Sequence, residues 1–159
     1  MNYREAACIC LDRHHASPME FLLTDNDRDE HVSAEWVMPD ERTKHAWANK
    51  DDATRDGAYA LSLSAVEVMR GLVAVRRAET RTGADYYLGD PTRLWEGFEA
   101  SFRLEVSGTD EGGEAVIRGR LREKLEQARK GNSNLPAIAS VVGFAALRIV
   151  SADLIADGL

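Results

Sequence analysis

Residues 57–75 hold only two charges, Glu67 and Arg70, and Leu61, Ala65, Val68, Leu72 and Val75 recur there at four-three spacing. That spacing predicts a helix. With Val66, Met69 and Val73 added, the helix is apolar around most of its circumference, so it has to be covered by other elements. A largely buried helix needs a sheet beside it, and this requirement governs how the rest of the chain is interpreted.

The strands come from the remaining apolar segments. Residues 19–23 (Met-Glu-Phe-Leu-Leu) predict one and residues 32–38 a second, with the polar run 25–30 as an exposed turn between them and Pro39 closing the hairpin. Residues 84–88 predict a central strand, turned by residues 89–91. From 95 to 107 the chain alternates: Phe98, Ala100, Phe102, Leu104 and Val106 share one face, while Glu99, Ser101, Arg103, Glu105 and Ser107 share the other. Residues 137–150 read as a further strand. Helices are expected at 3–14, with Ala6, Ala7, Ile9 and Cys10 partly buried, and at 114–130, whose apolar stripe is Ile117, Leu121 and Ala128. Residues 40–56, dense in charge, predict a short helix or an irregular connection. The sum is one α/β (α+β) domain over residues 1–159: a mixed sheet of about five strands flanked by two main helices, with an N-terminal helix and hairpin.

Composition narrows the function classes. With 159 residues, 44% hydrophobic and 30% charged, the chain can close one core without staples. A formal net charge of -7 argues against a generally basic nucleic-acid coat protein. Cys8 and Cys10 are too few and too close for a disulfide framework, and their apolar setting predicts buried thiols. Neither a signal peptide nor an apolar run long enough for a membrane span is evident, so the expected location is cytoplasmic.

Three acids and a lysine are out of keeping with their surroundings. Asp85 and Glu105 lie on strands expected to be neighbours, roughly 5 Å apart. Two such carboxylates supply the hard oxygen ligands that a divalent ion needs in phosphodiester hydrolysis. The plainer alternative is that both face solvent on the polar side of an antiparallel pair. Glu67 is the sole acid of its helix, which predicts either desolvation, costly unless it is paired, protonated or metal-bound, or a pair with Arg70 three residues on, along the exposed sliver of the helix. Lys124 falls inside the apolar stripe of the 114–130 helix, so it points at the sheet or snorkels at the rim. Gln127 lies one turn further on.

The order of these parts resembles the core of the PD-(D/E)XK nuclease superfamily: a helix with Glu67, a strand with Asp85, a strand with Glu105-Val-Ser107, a helix with Lys124 and Gln127, then a strand. The resemblance covers residues 57–150. It implies a restriction-endonuclease-like fold in which Glu67, Asp85 and Glu105 hold Mg2+ or Mn2+. Ser107 occupies the place where the family carries its lysine, and some members take that lysine from the following helix, the role Lys124 would fill. The resemblance thus implies Asp85, Glu105 and Lys124 as the catalytic set, with Arg103 and Gln127 contacting phosphate and nucleic acid as the partner. The competing function is a catalytically inactive interaction or adaptor module of a multi-protein bacterial system, with a protein partner. The acidic net charge and Ser107 favour it.

Other clusters suggest less. His14 and His15 beside Asp12 point apart on a helix, and Asp25, Asp27 and Asp29 lack the glycine and the distant glutamate of a calcium loop. A solvated hairpin tip is the expectation for the latter.

Overall fold

The computed structural model describes residues 2–79, 84–96, 99–131 and 133–154. Its helices are α1 (Tyr3–Asp12), α2 (Glu41–Ala46), α3 (Lys50–Arg70) and α4 (Glu114–Lys130). Its strands are β1 (Met19–Asp25), β2 (Arg28–Ala34), β3 (Val73–Arg77), β4 (Tyr86–Gly89), β5 (Phe102–Thr109), β6 (Ala137–Gly143) and β7 (Arg148–Leu154). All seven strands form one mixed sheet in the order β2-β1-β7-β6-β5-β4-β3. The protein is therefore α+β, as the sequence predicts, with more strands than the five expected. Among the described residues no helix is long and apolar enough to cross a membrane.

Local chemistry sets the element ends. Asn2 and Glu5 close a reciprocal capping box on α1, and the Asn49 side chain accepts from the backbone N–H groups of Asp51 and Asp52 at the start of α3. Gly71, at φ 67°, ends α3 in the left-handed conformation that suits glycine. The predicted helix over 57–75 therefore begins seven residues earlier and stops at Arg70, and Val73 and Val75 belong to β3. Asn26, at φ 54°, makes the first hairpin turn tight, so β2 starts at Arg28 and ends at Ala34 instead of spanning 32–38. The single strand predicted over 137–150 is two strands, because residues 144–147 turn the chain with Leu147 at φ 53°. The strand predicted from residue 95 begins at Phe102; residues 91–96 form a 3-10 turn, and Phe98 lies outside the described residues.

Two cores sandwich the sheet. On one face α1 and α3 bury Cys10, Ala58, Val66 and Met69 against Phe21, Leu104, Ile138 and Ile149. On the other face α4 sets Ile117 and Leu121 on Ala139, Val141 and Val150. β5 and β6 run parallel with α4 as their crossover, and every residue of β6 is buried. Both faces of β5 are thus covered along most of its length.

Candidate active site

β5 pairs with β4 on one side and with β6 on the other. Leu104 and Val106 face the α1/α3 core, so alternation sends Arg103 and Glu105 to the other face, beneath α4. This corrects the solvent-facing alternative for Glu105. Its side chain is 1% exposed, and neither carboxylate oxygen has a hydrogen-bond partner. The nearest cation on its own strand is Arg103, whose Nη1 lies 3.6 Å from Oε1, too far for a hydrogen bond. Burial pushes the Glu105 carboxyl up from its ordinary value of 4.5 to about 6; Lys124 and then Arg103 pull it back, and Asp85 adds to the rise.

Arg103 does not serve as the phosphate contact that the resemblance implied. It is buried, donating from Nη2 to the Ala128 carbonyl at 2.6 Å and from Nε to the Leu135 carbonyl at 3.3 Å. The guanidinium caps the carbonyl end of α4, where a cation suits the helix dipole. Gly131 makes room for it, since a Cβ there would sit 2.8 Å from Nη1.

Asp85 is held from the α3 side. Its Oδ1 accepts from the Tyr59 hydroxyl at 3.0 Å and its Oδ2 from the Val106 N–H at 2.7 Å. Tyr59 is held in turn by ring contacts with Tyr3 and Tyr86. Burial, then the Asp85 charge, pushes its hydroxyl up to about 12, so it stays a proton donor at neutral pH. Asp85 and Glu105 thus lie close enough to interact electrostatically, yet each is engaged by a different helix layer.

Glu67 stands apart. It is exposed, whereas Ala65, Val66 and Met69 are buried, so the helix turns its lone acid outward. It is neither desolvated nor paired with Arg70, whose Nε and Nη2 reach the Asp25 carboxylate at 2.8 and 2.6 Å and which also meets Asp153. The same contact corrects the solvated hairpin tip at Asp25. Among the described residues no three His, Cys, Asp or Glu side chains gather as a metal site. Two carboxylates influence each other here: Asp85, both of whose oxygens already accept hydrogen bonds on the α3 side, and Glu105, whose buried oxygens accept none beneath α4. Apart from the Arg103 guanidinium 3.6 Å from Oε1, the buried Glu105 oxygens meet no hydrogen-bond donor, and magnesium commonly takes one or two carboxylates and completes its shell with water and phosphate.

A cleft of about 360 Å³ opens past the end of this group, lined by Ser107, Gly108, Lys124, Arg120, Lys50 and Arg55 among others. Gly108 lets α3 approach β5 closely, since a Cβ there would come within 2.9 Å of the Thr54 carbonyl. Lys124 is half-buried and lines the cleft, and its charge acts on Glu105. The Arg120 guanidinium lies 3.3 Å from the Ser107 hydroxyl. Gln127 is exposed.

Sequence reasoning missed two residues. Tyr59 carries no signal beyond being a polar-tipped aromatic in an apolar helix. Asp110, just past the end of β5, is buried among Arg13, His14 and Lys50 at 3.2, 3.1 and 3.0 Å. The His14 imidazole thus sits against the Asp110 carboxylate, and His15 Nε2 lies 2.9 Å from the Phe144 carbonyl oxygen.

The class defined by these elements is an α+β protein with a seven-stranded mixed sheet, a buried carboxylate on a central strand and a nearby cleft of mixed charge, lined by Lys50, Arg55, Arg120 and Lys124 and by Asp51 and Asp110. No family model, curated protein or solved structure matches the chain.

Proposed function

We propose that the chain is a small metal-dependent phosphodiester hydrolase, built on a nuclease-like core that runs from α3 through β3, β4, β5 and α4 to β6. The observation that carries this reading is Glu105, a carboxylate buried on a central strand with no hydrogen bond to either oxygen, under the electrostatic influence of Lys124, Arg103 and Asp85. A buried acid left in that state is costly to the fold, and functional sites are where such costs collect. When bound, Mg2+ or Mn2+ would lower the pKa of a coordinated water and offset charge on phosphate. Glu105 and Asp85 are the residues that would hold the ion, and Tyr59 and the Val106 N–H fix the Asp85 carboxylate. Lys124 orients the phosphate or the attacking water from α4, standing in for the lysine absent at Ser107. The cleft beyond it, with Arg120 and Ser107, receives the nucleic-acid backbone.

Two observations favour a second reading, an inactive adaptor module. Each oxygen of Asp85 already accepts a hydrogen bond, and Glu67 is turned away to solvent. In an adaptor Asp85 is a strut joining α3 to β5, and the partner is another protein.

Calorimetric titration of Mn2+ or Mg2+ into the purified chain, beside Asp85→Ala, separates the two. Binding by the wild type alone, followed by cleavage of a labelled oligonucleotide, supports the hydrolase. Absence of binding in both proteins supports the adaptor and ends the hydrolase reading.

A further inference from the structure

Val37 and Met38 are the most exposed large apolar residues described, at 79% and 74%. Single exposed apolar side chains need no explanation, but these two are adjacent and held in place. Trp36 before them is buried, with its N–H donating to the Ser17 hydroxyl at 2.9 Å, and Pro39 after them is buried as well. The pair is a knuckle clamped at both ends, presented to water by a preorganised backbone.

Beside it lies an apolar groove of about 430 Å³ between α1, α3 and the β1–β2 hairpin. Its lining includes Ala7 and Cys8 of α1, Leu61 and Val68 of α3, Val32 of β2, and Trp36. Val68 is itself 56% exposed, so knuckle and groove together form one apolar face on an otherwise charged chain. β2 is an edge of the sheet, which leaves this corner open to approach.

We propose that this face is a homodimer interface, in which Val37 and Met38 of each copy fill the groove of the other. Two features point to a second copy in preference to an unrelated protein. Trp36 both lines the groove and leads into the knuckle, so donor and acceptor share one surface, the arrangement that a two-fold interface requires. The groove is also lined by Arg4 and Glu35, both exposed and, among the described residues, in no ion pair. A two-fold axis sets the Arg4 of one copy against the Glu35 of the other, so the charges of this face complement themselves. This inference is independent of the hydrolase reading, since none of these residues touches Asp85, Glu105 or Lys124.

Sedimentation equilibrium of the full chain tests it, with Met38→Asp, Arg4→Glu, Glu35→Arg and the double charge swap alongside. The wild type is expected to show a monomer–dimer equilibrium. Met38→Asp should raise the dissociation constant by about 30-fold or more, as loss of a buried interface anchor does. Each single swap should weaken the dimer up to about fivefold, and the double swap should restore it. As a second readout, Met38→Cys treated with the two-electron thiol oxidant diamide should give a covalent dimer that disappears in Cys8→Ala. A wild type that stays monomeric at every concentration reached, or a dimer indifferent to Met38→Asp, overturns the proposal.

Discussion

Two buried carboxylates, Glu105 on β5 and Asp110 just past its end, have opposite electrostatic fates. Desolvation is the largest influence on each, and alone it raises both. At Asp110 it is outweighed by Lys50, His14 and Arg13, which together hold the carboxyl below its usual range. At Glu105 it is not: the pull of Lys124 and Arg103 falls short, Asp85 pushes the same way as burial, and the carboxyl rises to about 6. Burial alone therefore does not mark a site. What distinguishes Glu105 is a buried carboxylate whose desolvation its neighbouring cations only partly offset.

The comparison is tested most severely at Asp110. Asp110→Asn leaves Arg13, His14 and Lys50 without their shared acid. It should cost about 2–3 kcal/mol of unfolding free energy in urea, less than a fully enclosed pair because Arg13 and Lys50 are partly exposed. Asp110's own contribution is present above its unfolded pKa and is lost as pH falls through the depressed folded one. Glu105 should behave in the reverse sense. Its folded pKa is raised, so between about pH 4.5 and 6 the native state binds more protons than the unfolded chain, and stability falls as pH rises across that window. The loss is up to about 2 kcal/mol, at 1.36 kcal/mol per pH unit of displacement. Glu105→Gln should recover it at pH 7, erase the difference between urea melts at pH 5 and 7, and abolish Mn2+ binding. A variant that is less stable at pH 7 would show that Glu105 is as well satisfied as Asp110. Tyr59→Phe should weaken Mn2+ binding about tenfold in calorimetry while the fold persists, as loss of a group that orients a ligand does. The smallest effect is expected from Lys124→Met. Removing the largest counter-charge moves the Glu105 midpoint further up, by an energy under about 1 kcal/mol for a half-exposed group, visible in the same pH series.

How far the sequence was legible depends on the range of the interactions concerned. The alternation in β5 and the stripe of α4 were readable, because neighbours along the chain dictate them: Leu104 and Val106 are buried together, as are Ile117, Leu121 and Ala128. The end of α3 was misjudged by five residues because apolar periodicity continues through Leu72 and Val75, while the stop is a backbone event at Gly71. The strand predicted at 137–150 failed similarly: a buried run contains no sign of the turn at Leu147. Among site residues, Glu105 lies on its predicted strand, whereas Asp85, expected inside a strand over 84–88, sits in the bend just before β4. Of the two alternatives for Glu67, the exposed sliver of the helix is where it lies, but the expected pair with Arg70 fails because Asp25 and Asp153, distant in the chain, take that guanidinium.

Sequence by itself determined the elements that depend on local period and local caps: the capped α1 and α3, the amphipathic α4, and a central strand carrying an acid. Tertiary structure alone decided what each charge meets. Arg103 caps a helix end and is denied to phosphate, Asp110 gathers cations from α1 and α3, and Glu105 lies under α4 without a hydrogen bond. The physical reason is that desolvation and Coulomb energy depend on through-space neighbours, which the sheet order assembles from segments far apart in the chain.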